Sequence, residues 1–378
     1  MLNSGNTSGL NFEDLSAEEL AVSAVGAGEH VRTAGGDAPP AGEHLRVAEG
    51  DAPPGSVHVH GAQPKIDMHH HYCAPEWREW AAQHGLIDPA QLPRWAHLGA
   101  EDSVDFMDRA GIETAVLKPM LPARYHSSAQ LREAINITLR SMMHVAQAHP
   151  ARFSFYVPLF LDDLEASSWA VRRGLGQLGA VGVNVTANYG GVYLGDPAYD
   201  RIFAELNDFS AVVDTHPHHL PGGRPGAMTV PGIPNFMCDF LLDTTRAAVN
   251  MISKRTLDRF PDISVILPHA GGFLPYIAPR LQALGRFCDP PVDPAAVGHH
   301  LRRFFYDTAG PMAPAATLLA HVPADRILFG TDWPAAPADT VMDLALPALE
   351  ADPAFTPEQL SGIYRENALR LIPQLATV

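Results

Sequence analysis

From Lys65 onward, short apolar, β-branched runs alternate with longer amphipathic stretches, and this alternation restricts the fold more than any other feature of the chain. Eight runs read as strands: KIDMHHH (65–71), ETAVLKP (113–119), FSFYVPL (153–159), VGVNVTA (181–187), AVVDTHP (211–217), SVILPHA (264–270), FFYDTA (304–309) and RILFGTD (326–332). Helical patterns lie between them, among them AQLREAINITLRSMMHVAQAHP, the apolar spacing from Phe240 to Lys254, and AATLLAHV. Strand–helix alternation of this kind implies parallel βα units. Eight such units suggest a closed (β/α)8 TIM barrel, an α/β fold, rather than an open sheet.

The polar residues fall in one place. His69 and His71, His216, His269 and Asp332 stand at or near the C-terminal ends of four of these runs, and Asp307 on a fifth. In such a barrel that end carries the active site, because the βα loops and strand termini converge there. Side chains alternate across a strand, so His69 and His71 face one way and His70 the other. Two imidazoles one strand repeat apart can reach a single metal ion. His58 and His60 have the same spacing but sit in Gly/Pro-rich sequence without a strand, so that pair reads as incidental.

His216 follows AVVD and precedes a proline, at the expected end of the fifth strand, with His218 and His219 on the following loop as second-choice ligands or pocket lining. Asp332 follows an apolar run and a glycine, where it can bind metal and exchange a proton; the alternative is an N-cap for the next helix. His269 lies in VILPHAGGFLP, and its glycines permit a tight turn and close approach to a substrate. A histidine there suits general acid–base work. Asp307 reads either as a partner of a ligand or as a strand-end cap. Histidine and carboxylate ligands with an open position suit catalytic Zn2+, with Mn2+ as the alternative.

The formal charge of −16 argues against non-specific nucleic-acid or anionic-membrane binding, both of which need a basic surface. Three widely spaced cysteines indicate neither a disulfide framework nor a cysteine-based zinc site. No apolar run approaches the roughly 18 residues a membrane span needs, and no secretory signal pattern opens the chain. The expected compartment is the cytoplasm. Residues 1–64 differ in texture: they are rich in Gly, Ala, Pro and Glu and carry a tandem repeat, AGEHVRTAGGDAPP (27–40) followed by AGEHLRVAEGDAPP (41–54). Such a composition predicts a largely disordered tail, with a possible capping box at Ser16–Glu19. The run LSAEELAVSAVG also looks like the end of a ribosomal-peptide leader. Residues 65–378 are then the catalytic domain.

The segments IDMHHHYCAPEW, FMDRAGIETAVL, YLGDPAYDRIFAELN, VVDTHP, IPNFMCDFLLDTTRA, RFPDISVILPHAGGFLPY, RILFGTDWP and NALRL carry a family resemblance. Residues 65–378 resemble the amidohydrolase-related superfamily, in the branch containing aminocarboxymuconate-semialdehyde decarboxylase and 6-methylsalicylate decarboxylase-like proteins. That resemblance implies a barrel of the metal-dependent hydrolase type, metal ligands at His69, His71, His216 and Asp332, and His269 as the catalytic histidine. It implies a homodimer and gives Arg280 a role in binding a substrate carboxylate, donated across the dimer interface in some relatives; the alternative is a helix-surface charge. The resorcylate group carries an acidic residue where His69 stands, so the His-x-His here leans toward the other two types.

The expected reaction is metal-dependent, non-oxidative decarboxylation of an aromatic or unsaturated carboxylic acid, with His269 and Asp332 managing the proton. Phe236, Met237 and Phe240 would form an apolar wall, or simply pack the core. Hydrolysis of an amide, ester or lactone at the same site is the runner-up, with Asp332 as base. A hydratase is a third reading, and a non-catalytic binding protein a fourth.

Overall fold

The structure is a computed structural model, and it describes residues 63–217, 228–310 and 315–376. The tandem repeat, the capping box, the His58/His60 pair, and His218 and His219 lie outside the described residues.

Eight parallel strands follow one another around the sheet in chain order. They are β1 (Lys65–Tyr72), β2 (Ile112–Pro119), β3 (Phe153–Pro158), β4 (Gly182–Thr186), β5 (Val212–His216), β6 (Ser264–Leu267), β7 (Phe305–Asp307) and β8 (Ile327–Leu328). All eight expected runs therefore contribute a strand. The cylinder closes where β1 meets the chain just beyond β8. There Met68 N donates to Phe329 O at 2.9 Å and His71 N to Trp333 O at 2.7 Å, with a parallel bridge between His70 and Trp333.

The helices between strands include α1 (Pro75–Gln83), α2 (Ala100–Ala110), α3 (Ser128–Ala148), α4 (Leu164–Arg173), α5 (Asp200–Asp208), α6 (Asp239–Ser253), α7 (Leu274–Leu284) and α8 (Pro294–Arg303). The longest, α3, is opened by Ser127, whose hydroxyl accepts from Gln130 N at 3.2 Å and so satisfies one of the free amide donors of the first turn. A two-stranded hairpin, Asn188–Tyr189 against Val192–Tyr193, stands outside the barrel and was not expected from the sequence.

Alternation along the strands divides the core in two. One set of side chains points inward: Ile66 and Met68 on β1, Val116, Tyr156, Val212, Ile266, Phe305 and Leu328 form a cluster inside the cylinder, joined by Ala368, Ile372 and Leu375 from the C-terminal segment. The opposite set, among them Leu117, Phe155, Val183, Val213 and Leu267, packs outward against the helices. Filling a barrel interior with such layers leaves no pore. Farther along the strands, and past a register shift on β1 between Asp67 and His70, the inward residues change character to His69, His71, Lys118, Asn184, Asp214 and Asp307, all buried. One end of the barrel is therefore sealed by hydrocarbon and the other by hydrogen-bonding groups.

The sequence places His269 and Asp332 at strand ends, but the strands stop earlier. β6 ends at Leu267 and β8 at Leu328, and both residues sit on turns beyond, in left-handed backbone conformations (φ +54° and +64°). Non-glycine residues rarely adopt that region and are held there only when surrounding contacts fix them.

Candidate metal centre

β1 carries two of the site's imidazoles. His69 Nε2 lies 3.2 Å from His71 Nε2, whereas His70 points the other way, against the ring of Trp333, with its Nδ1 3.0 Å from Asp67 Oδ2. β5 ends in His216, whose ring lies 4.8 Å from that of His71 and 5.4 Å from that of His69, centroid to centroid. The turn after β8 brings in Asp332, with Oδ1 3.0 Å from His71 Nε2 and 3.3 Å from His69 Nε2. One ligating atom from each of His69, His71, His216 and Asp332 falls within 4.8 Å of the other three. His269 stands beside them, Nε2 3.6 Å from Asp332 Oδ2, partly open to solvent.

The orientation of each ring is set by its other nitrogen. His69 Nδ1–H donates to Asp307 Oδ2 at 2.7 Å, and His216 Nδ1–H to Pro217 O at 2.8 Å. When neutral, both rings are thereby fixed in the tautomer that leaves a lone pair on Nε2, as in sites where outer hydrogen bonds prepare histidines to bind metal. His71 Nδ1 is buried without a partner among the described residues. Ring nitrogens 3.2 Å apart, with lone pairs turned toward a common carboxylate, repel one another unless a cation or a proton lies between them. Three nitrogens and one carboxylate oxygen fit a divalent ion such as Zn2+ or Mn2+ in donor type and number.

Asp307 resolves the choice the sequence leaves open, for it serves both purposes. One carboxylate oxygen holds His69; the other accepts from His269 N at 2.8 Å and Ala309 N at 3.1 Å. Burial pushes its carboxyl up, but the adjoining His69 imidazole and Lys118 more than offset this and hold it down at about 2. Burial likewise brings His71 down to about 4 and His216 well below its ordinary value, so both are neutral near pH 7. His69 differs: burial and Lys118 lower it, but Asp307 and Asp332 hold it up at about 9. Burial raises the Asp332 carboxyl, yet the His269, His69 and His71 imidazoles around it keep it well below the usual carboxylate range.

The backbone near the site leaves little freedom. Asp332 N donates to His69 O at 2.9 Å. A Cβ on Gly330 would lie 2.8 Å from His69 Cβ, so glycine lets β8 approach β1 closely enough for Asp332 to reach the histidines. After His269, Gly272 has φ +63°, and a Cβ there would meet Leu241 O on α6 at 2.2 Å.

Two groups that the sequence reading passed over complete the interior. Lys118 on β2 is buried with its Nζ 3.1 Å from Asp214 Oδ2, and Asn184 Nδ2 donates to the same oxygen at 2.7 Å. Asp67 accepts from His69 N, Thr331 N and Thr331 Oγ1, the last at 2.6 Å, tying β1 to the turn that carries Asp332. A charged residue inside an otherwise apolar strand is the signal that could have found them.

The expected substrate-binding residues are not gathered as tightly. Phe240, on α6, places its ring 6.4 Å from that of His216. Phe236 is half exposed on the turn Asn235–Met237, and Arg280 is exposed on α7. Among the described residues, neither makes a hydrogen bond, ion pair or ring contact with the histidine cluster.

Comparison with known proteins places these residues in a family. A family model described as amidohydrolase matches residues 66–374. The chain is 30% identical over 331 residues to a 6-methylsalicylic acid decarboxylase of Aspergillus aculeatus, covering 82% of this chain and 96% of that one. It is 30% identical over 333 residues to a decarboxylase of Aspergillus niger, covering 82% and 88%. Among solved structures, an amidohydrolase II is 26% identical, with a TM-score of 0.70 over 82% of this chain and 99% of that one. The chain belongs to the amidohydrolase family.

Proposed function

We propose that the protein is a divalent-metal-dependent, non-oxidative decarboxylase of an aromatic or unsaturated carboxylic acid. The observation that carries this reading is the convergence of His69, His71, His216 and Asp332 within 4.8 Å of one another, in a chain whose relatives include decarboxylases at 30% identity. In this reading those four residues are the metal ligands. A divalent cation held there supplies positive charge that orients the substrate carboxylate and stabilises negative charge developing in the reaction. Zn2+ suits three imidazoles and one carboxylate; Mn2+ is the alternative.

The chain's own groups handle the proton. Asp332 stays a carboxylate and holds the His269 imidazole in place through Nε2. The backbone of His269 is anchored by Asp307, which fixes where the side chain leaves the turn. His269 delivers a proton to the carbon that bears the carboxylate. The carbon–carbon bond then breaks, its electron pair stays with the ring or chain of the substrate, and CO2 departs. One proton enters and one CO2 leaves, so charge and atoms balance. Asp332, as a carboxylate beside His269, orients the ring while it takes its next proton from solvent.

Phe240 forms part of the apolar surround in this reading. Arg280 makes no ion pair among the described residues and is exposed, which leaves its guanidinium available to a substrate carboxylate in a second copy of the chain, consistent with a homodimer. A reducing cytoplasm accords with the three free cysteines, Cys73, Cys238 and Cys288. No helix among the described residues is long and apolar enough to cross a membrane.

The test is CO2 release from a panel of hydroxybenzoates and unsaturated diacids by metal-loaded protein. Release from at least one member, matched by formation of the decarboxylated product, is the expected outcome. Hydrolysis of an ester, amide or lactone with no CO2 from any acid would replace this reading with the hydrolase one.

A further inference from the structure

The loop between α1 and α2 folds back over the site and brings a residue the sequence reading did not single out. Trp95 lies on the turn Arg94–His97, and its ring is 6.2 Å from that of His71, tilted at 36°. That turn is held in several places. Ala96 is buried beneath it, Arg78 on α1 donates to Ala96 O, Leu98 N bonds to Trp95 O at 3.2 Å, and His97 Nε2 donates to Pro89 O at 3.1 Å. Trp95 itself is only half-buried, and its indole N–H has no partner among the described residues. A wide, flat ring with a free donor thus stands against a site imidazole, while Phe240 stands against His216 on the opposite strand of the cluster.

From this placement we propose that Trp95 is a specificity-determining residue that holds a flat aryl carboxylate beside the metal centre by ring–ring contact. The proposal rests on reading that centre as the place where the acid binds, and it narrows the substrate to the aromatic class. Aromatic rings attract at centroid separations of about 4.5–7 Å in tilted or offset arrangements, and they do so more strongly than a saturated ring of equal size. The anchored turn fixes where the indole stands, so a substrate ring meets it without reorganisation.

The experiment compares wild type with Trp95→Ala, Trp95→Phe and Trp95→Leu as full-length, metal-loaded proteins. Salicylate and cyclohexanecarboxylate are the probes, with binding read by calorimetry and metal content by elemental analysis. Trp95→Ala and Trp95→Leu should weaken salicylate about tenfold and cyclohexanecarboxylate far less, whereas Trp95→Phe should stay within about threefold of wild type. Metal content should be the same in all four. If Trp95→Ala does not fold, the contrast between Phe and Leu decides the matter. Equal weakening of both probes together with metal loss would make Trp95 a packing residue and overturn the proposal. Unchanged salicylate binding in Trp95→Ala, or no salicylate binding by wild type, would overturn it as well. Normal salicylate binding without CO2 release from any acid would count against the decarboxylase reading while leaving this wall in place.

Discussion

Asp307 touches two residues with different tasks, which makes its replacement informative. Changing Asp307 to Asn keeps the shape but removes the charge that fixes the His69 tautomer. Loss of such an outer partner typically costs 10- to 100-fold in metal affinity or activity, so a metal-binding titration of Asp307→Asn should show a drop of about that size. His269→Gln should behave differently, keeping metal while slowing turnover by about 10²- to 10⁴-fold, the range for a lost general acid. Elemental analysis alongside rate measurement separates the two. Acidity gives a further check on the metal-free protein. His71 and His216 titrate lower when folded than the ~6.5 of an unfolded histidine. Their contribution to stability is therefore present above pH ~6.5 and is lost as the pH falls through about 4 for His71. His69, raised to about 9, works in the opposite sense, its contribution being full below pH ~6.5 and lost as the pH rises through 9. Urea unfolding midpoints of metal-free protein should thus drop on going from pH ~6.5 toward 4, and a flat profile across that window would argue against the burial of these rings.

The strands and the turns that follow them differ in how openly the sequence announces them. β1 to β6 are short apolar, β-branched runs, and His69 and His71 could be placed on one face because side-chain alternation along a strand is local. His269 and Asp332 were expected at strand ends; the backbone instead leaves the sheet first and turns left-handed. Nothing in VILPHA or RILFGTD encodes that departure, because it depends on contacts made across the barrel by Asp307, Asp67 and the β1 carbonyl. The Lys118–Asp214 pair escaped for the same reason: its members are distant in sequence, and each alone reads as a polar strand end. Arg280 came from resemblance and Phe236 from its apolar character, and one chain does not bring either to the cluster. The glycines mark where the elements press together. Gly330→Ala would drive its methyl against His69 Cβ, and overpacking of this kind costs about 1–3 kcal/mol. Thermal unfolding should show that loss, with metal content falling alongside it because Asp332 is pushed away from β1.

The barrel gathers residues scattered from His69 to Asp332 at its polar end, while hydrocarbon from Ile66, Ile266 and Leu328 closes the other. Every group assigned a role in the chemistry lies beyond residue 62, so deleting residues 1–60 should leave kcat and KM close to those of the full chain; a collapse of turnover would give the repeats a part in catalysis. The proposed reaction requires one divalent cation to be shared by His69, His71, His216 and Asp332. Titrating chelator-stripped protein with Zn2+ or Mn2+ while following CO2 release from an accepted aryl acid examines this in a single curve. CO2 release should climb from near zero and level off at one equivalent of metal per chain, and His71→Ala should stay flat throughout. Undiminished CO2 release from metal-free protein, or a His71→Ala curve matching wild type, would show that these four groups do not form the working site.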